Sequence, residues 1–295
     1  MRTSHKEMRR KINAEVSKIT DEELFSSAAF AAYLTDIAEA VTKRYKRRLR
    51  VETIYDTSEN AMIACTNNRN ILINTGNYIS QSMPYRKLKA ESILGLVGHE
   101  AGHMLFTNFR ISETYFSELS YGRLYPQMEL SEEEQESFTE VTDYFKTGTE
   151  AQKQAILKAA KLLLNILEDA YIEAKICDRY TGRFATGIHL NNIRFTEMIP
   201  SVTEQLTNGC YRFSVFCNLL NQYCRSGDIN NRDGYTGELL DLFYDVLPLV
   251  DDAIYDEDMK RRCYAVNRIL LMVWAYIKEI AEKAEEEENT KYCRN

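Results

Sequence analysis

Two of the four histidines in this 295-residue chain lie four positions apart, in the stretch SILGLVGHEAGHMLFTNF, Ser92 to Phe109. His99 and His103 stand at i and i+4. On a helix they project from one face about one turn apart, which lets two imidazoles reach one ion at a Zn–N distance of about 2 Å. Glu100 directly follows the first histidine, about 100° around the helix. That position is too far round for a third ligand and near enough to touch a metal-bound water. H-E-x-x-H is the pattern in which zinc acidifies a water and the glutamate takes its proton. Ile93, Leu94, Leu96, Val97, Met104 and Leu105 around the motif fit a buried helix. Gly98, Ala101 and Gly102 leave room for another segment, and mid-helix glycines that cost about 1 kcal/mol each relative to alanine imply a gain from that closeness. The competing reading is a core helix with two satisfied histidines.

An open zinc site needs a third protein ligand. One large zincin class uses a histidine six residues past the second, with a glycine at the third; those positions hold Phe109 and Phe106, which excludes it. The other takes a carboxylate from a later helix. The segment NILEDAYIEAK, Asn165–Lys175, offers three acids on a predicted helix over 149–180. An apolar stripe, Leu163, Leu167, Ala170, Ala174 and Cys177, predicts the core face. Glu168 sits on its flank, where an unpaired acid costs several kcal/mol. Asp169 points further toward the polar side and is in register with Glu173. Both suit holding an imidazole N–H from outside the metal.

HEAGHMLFT at 99–107 followed by NILEDAYIE at 165–173 resembles the predicted metallopeptidases that often carry a von Willebrand A domain, relatives of the cobaltochelatase small-subunit-like proteins. The resemblance covers about residues 50–180. It implies a zincin with a gluzincin-type site: His99, His103 and Glu168 on Zn2+, with Glu100 as general base. Two features depart from that pattern. Tyr171 stands where such proteins often have arginine, and no von Willebrand A domain follows. Tyr171 and His189 are both candidates to steady the oxyanion of a tetrahedral intermediate, and His189 is a second candidate third ligand.

The elements that must position these residues follow from composition and pattern. Twelve glycines and four prolines predict long helices and few tight turns. Thr20 with Glu23 forms a capping box opening a helix over 20–46. RVETIYD, AMIACT and NILINTG, within 50–76, read as a small antiparallel sheet. Helices follow over 85–107, from Ser131 onward, and over 149–180, the last stopped by Gly182. A Ser/Tyr/Gly-rich loop is predicted at 108–130, and 183–200 reads as irregular. Helices near 201–225, 236–248 and 256–288 complete the chain, before an acidic end that frays into solvent. The fold class is therefore α+β and mainly helical: a single zincin-like domain, 1–295, with a helix and small sheet at 20–84, active-site helices at 85–180 and a helical lobe at 183–288.

A formal net charge of −7 gives no basic field for nucleic acid or an anionic membrane. Seven cysteines, an odd number, and a start without the apolar core of a signal peptide predict reduced thiols in the cytoplasm. Cys210, Cys217 and Cys224 at sevens read as small residues of a packed seam, since residues two turns apart cannot share an ion. Asp56 and Ser58 in YDTSEN read as a turn rather than a metal-dependent adhesion motif. The expected function is zinc-dependent hydrolysis of a peptide or protein substrate. The rivals are a metal-holding scaffold or metal-insertion factor serving a partner protein, and a metal-free helical interaction protein.

Overall fold

The computed structural model describes residues 4–16, 18–45 and 48–293. It is mainly helical with one small sheet. In chain order the elements are α1 (His5–Val16), α2 (Asp21–Phe25), α3 (Ala28–Thr42), β1 (Arg50–Ile54), β2 (Ala64–Thr66), β3 (Asn70–Asn74), α4 (Tyr78–Gln81), α5 (Arg86–Phe106), α6 (Phe109–Ser120), α7 (Glu132–Thr147), α8 (Glu150–Arg179), α9 (Arg183–Met198), α10 (Val202–Thr207), α11 (Arg212–Ser226), α12 (Glu238–Tyr255), α13 (Met259–Met272) and α14 (Trp274–Cys293).

The two capping boxes are present at Thr20/Glu23 and Ser131/Glu134. Other expectations change. The helix over 20–46 breaks at Ser26, because the Ser27 hydroxyl accepts from the Phe30 amide and starts α3 afresh. The 108–130 loop contains α6, which Asn108 caps immediately after α5 ends. The irregular stretch 183–200 is largely α9. The helix near 201–225 is interrupted around Gly209, at φ 77°, a left-handed conformation open to glycine. The helix near 236–248 runs on through Pro248 to Tyr255, and that at 256–288 divides at Val273. Gly182 does not adopt a left-handed stop. Side chains from Glu285 onward, where the acidic end was expected to fray, lie outside the described residues.

The sheet is mixed rather than antiparallel. Its order is β1-β3-β2, with β1 parallel to β3 (Val51 opposite Ile71) and β2 antiparallel to β3 (Cys65 opposite Leu72). Alternation marks strands but does not choose their neighbours. At the turn after β1, the Asp56 carboxylate accepts from the amide and hydroxyl of Ser58 at 2.9 and 2.7 Å, an ordinary Asx turn.

The chain divides into two compact units, residues 1–106 with 175–194 and residues 107–174 with 195–295, so α8 contributes to both. In the first unit, Val51, Ile71 and Ile73 face a core with Leu34 and Ala38 of α3, Ile93, Val97 and Ala101 of α5, Ile176 at the end of α8, and Phe184 and Ile188 of α9. The second unit is a helical assembly whose core includes Leu163 and Leu167 of α8, Phe216 and Leu220 of α11, and Val266 and Leu270 of α13. The buried face of α8 departs from the expected stripe: Ile166, Tyr171 and Ile172 are buried and Ala174 is exposed, because the larger side chains gain more from burial.

Candidate metal centre

Within the first unit the histidine helix is held closely. Gly95 of α5 meets Gly187 of α9 so tightly that a Cβ on Gly95 would come within 2.3 Å of the Gly187 carbonyl carbon. Gly98 faces the Phe184 ring, where a Cβ would sit 2.6 Å from Cδ1. Alongside, the Ser92 hydroxyl donates to Asn191 Oδ1 at 2.6 Å, and Asn191 Nδ2 returns a bond to the Ser92 carbonyl at 3.0 Å. Arg183 forks onto the Glu91 carboxylate at 2.8–3.2 Å. At the other end, Arg44 donates to the Met104 carbonyl at 3.2 Å. Gly98 thus permits the close contact with α9 expected from its cost, and Gly95, which the sequence alone does not single out, makes the tighter one.

From Glu91 to Met104 every residue of α5 is buried except His99 and His103. The helix is enclosed along this length and opens only at its two imidazoles. Their Nε2 atoms lie 3.2 Å apart, with ring planes at 79°. Two nitrogens each about 2.0–2.1 Å from a tetrahedral ion are separated by about 3.3 Å, close to the separation of this pair. Glu100 is 5% exposed. Cys65 on edge strand β2 has its thiol pushed upward, first by burial and then by the negative charge of Glu100. His189 is exposed on α9, while its neighbour Ile188 faces the core. A cavity of about 410 Å³ at the α8–α9 turn is lined by Leu94, Tyr180 and Phe184 among others, and by neither histidine of the pair.

In the second unit the three acids of α8 have distinct surroundings. Glu168 is 3% exposed and uses both oxygens: Oε1 accepts from the Thr107 hydroxyl at 2.7 Å and Oε2 from Arg262 Nε at 2.6 Å. Arg262 is fully buried. Its Nη1 donates to the carbonyls of Asp256 and Ala253 at 2.7 and 3.3 Å, and its guanidinium lies 3.9 Å from the centre of the Tyr171 ring. Tyr171 is therefore a stacking partner of this arginine. Asp169 and Glu173 share Arg225, at 3.5 and 3.4 Å.

Arg262 was missed in the sequence because it stands in the basic run Lys260–Arg262. The signal lay in its spacing: it is at i+3 from Met259 and i−4 from Val266, on the buried stripe of α13. The cysteine seam holds in part. Cys217 is buried and Cys224 partly so, with burial pushing the Cys224 thiol up to about 12, whereas Cys210 precedes α11 and is exposed.

No protein-family model, no curated protein and no solved structure matches this chain. Among the described residues, no helix is long and apolar enough to cross a membrane.

Proposed function

We propose that the chain is a zinc-dependent peptidase in which His99, His103 and a carboxylate of α8 hold the ion and Glu100 is the general base. The observation that carries this reading is the 3.2 Å Nε2–Nε2 separation on a helix otherwise buried around it. Two half-buried imidazoles facing nitrogen to nitrogen fit a shared ion, and the glutamate beside them favours that reading.

For the third ligand the candidates on α8 are Glu168, which the family resemblance implies, and Asp169, which with His99 and His103 forms a group that could hold a metal. Both oxygens of Glu168 already accept hydrogen bonds, from Thr107 and from the buried Arg262, and a ligating carboxylate can keep such bonds. Asp169 has a longer contact with Arg225 and more exposure.

When bound, zinc supplies Lewis acidity toward a peptide carbonyl and lowers the pKa of water. Glu100 accepts the proton released by the attacking water and delivers it to the departing amine. Strand β2 is bonded on one side to β3 and forms the sheet edge, so its outer backbone can pair with an extended peptide.

The test is digestion of a diverse peptide library by zinc-loaded protein, read by mass spectrometry, for the wild type and Glu100→Gln. Cleavage by the wild type should fall by about 10²–10⁴ in the variant, whose zinc content stays the same. Equal cleavage by both would remove Glu100 from the chemistry. Zinc binding with no cleavage by the wild type would favour the metal-holding scaffold.

A further inference from the structure

Strand β2 is the edge on which an extended peptide would pair, yet none of its three residues is buried. Its neighbour β3 is anchored in the core by Ile71 and Ile73, and β2 is held to it by the pairs Ala64–Ile73, Cys65–Leu72 and Thr66–Ile71. The turn between them is braced from within. Asn67 Oδ1 accepts from the amides of Arg69 and Asn70 at 3.0 and 2.8 Å, and the Thr66 hydroxyl donates to the Asn70 carbonyl at 2.9 Å. Arg44, from outside the hairpin, fastens this turn to the histidine helix. It is half-buried. Its Nη1 donates to the Asn68 carbonyl, and its Nη2 donates to Asn68 Oδ1 at 2.9 Å and to the Met104 carbonyl at 3.2 Å. Met104 directly follows His103, and all of these residues belong to the first unit. We propose that Arg44 is the positioning residue of the substrate edge: it locks the β2–β3 turn to the last turn of α5, and so sets where a peptide paired with β2 lies relative to His99 and His103. The role rests on the peptidase reading of the same site.

The last four carbonyls of a helix have no intrahelical partner, and Met104 carries one of them, since α5 ends at Phe106. A guanidinium there satisfies the carbonyl and brings positive charge to the negative end of the helix dipole. Its planar fork still has donors for the turn, a geometry that a lysine ammonium does not reproduce. The backbone is unusual at both ends of the contact. Among the described residues, the non-glycine residues with left-handed φ are Lys43, at 57°, and Asn68, at 63°. Lys43 ends α3 and leads into Arg44, and Asn68 is the residue that Arg44 grips. His99 and His103 sit on one helix, so their mutual spacing does not depend on Arg44. The peptide's backbone bonds would go to β2 itself, so affinity for the peptide does not depend on it either. What Arg44 governs is the alignment of the edge with the pair, and a misplacement of about 1 Å can cost about 10²-fold in rate.

Zinc-loaded wild type, Arg44→Met, Arg44→Lys and Asn68→Gly are compared on a peptide that the wild type cleaves. The readouts are kcat, KM, zinc per chain and, by mass spectrometry, the bonds that are cut. Arg44→Met should hold the same zinc and keep its KM, lose about 10–100-fold in kcat, and cut at neighbouring bonds as well as the wild-type one. Arg44→Lys should fall between the two, because it keeps the charge without the fork. Asn68→Gly keeps the left-handed turn and removes the 2.9 Å bond, and should also fall between. If circular dichroism shows Arg44→Met to be unfolded, Asn68→Gly carries the test: added cleavage positions support the role, and the wild-type pattern overturns it. Wild-type kcat and cleavage positions in folded Arg44→Met would overturn the role and leave the peptidase reading standing. A fall in kcat that only follows lost zinc, with the same bonds cut, would overturn it too, since that is structural support alone. No cleavage by the zinc-loaded wild type would overturn the peptidase reading and the role together.

Discussion

Replacing Arg262 by methionine should destabilise residues 107–174 with 195–295 far more than any other change of a surface-looking basic residue in this chain. The side chain is fully buried, and Glu168 opposite is 3% exposed. Methionine conserves most of the volume, so cavity formation is a minor cost. What remains is a buried carboxylate that has lost its 2.6 Å partner and two backbone carbonyls that have lost a donor. Breaking a buried pair from one side costs about 3–5 kcal/mol. An exposed pair costs about 0–1 kcal/mol. The fluorescence of Trp274, which is 4% exposed and belongs to the same unit, reports urea unfolding where the pair resides. The double variant Arg262→Met/Glu168→Leu removes both charges and should recover at least about 2 kcal/mol relative to the sum of the single changes. Losses below 1 kcal/mol in Arg262→Met, or strict additivity in the double variant, would refute the argument that these two groups are a desolvated pair.

Two further outcomes follow from the unit that carries the histidines. Gly95→Ala should lower the thermal midpoint followed by circular dichroism, by a loss of about 2–3 kcal/mol, because its Cβ would press on the Gly187 backbone, which has no side chain to move; an unchanged midpoint would mean that α5 and α9 are not packed this closely. Asp21 receives hydrogen bonds from Lys89 and Arg86 of α5 that outweigh the upward push of burial and hold its carboxyl below the usual range. A carboxyl lowered on folding stabilises above its ordinary pKa, near 3.8, and that contribution is lost as pH falls through the depressed value. Asp21→Asn should therefore cost about 1–2 kcal/mol at pH 7, with the gap to wild type closing as pH falls below the ordinary carboxyl value near 3.8; a gap independent of pH would point to packing.

What could be read from the sequence was local. The capping boxes at Thr20 and Ser131 signalled helix starts through bonds within four residues, and the histidine helix was marked by spacing alone. What escaped was decided by contacts distant in sequence. Helix α9 looks irregular because Gly187, Asn191 and Asn192 have poor helix propensity. Gly187 is there to admit the backbone of α5, and Asn191 is there to bond Ser92, 99 positions away. That β1 pairs in parallel with β3 and that β2 takes the other edge is a choice of neighbours that no pattern within a strand specifies. The position of Glu168 was legible as an acid among apolar neighbours that needs a partner; the partner, Arg262, lies 94 positions on and is hidden in a basic run.

The central claim is that the two imidazoles share an ion, and equilibrium zinc titration of wild type beside His99→Ala and His103→Ala tests it most directly. The account predicts one tightly held zinc per wild-type chain, and affinity lost by at least about 100-fold in either variant, since two remaining ligands make a poor site. Equal zinc binding by the wild type and both variants, or none by the wild type, would contradict it.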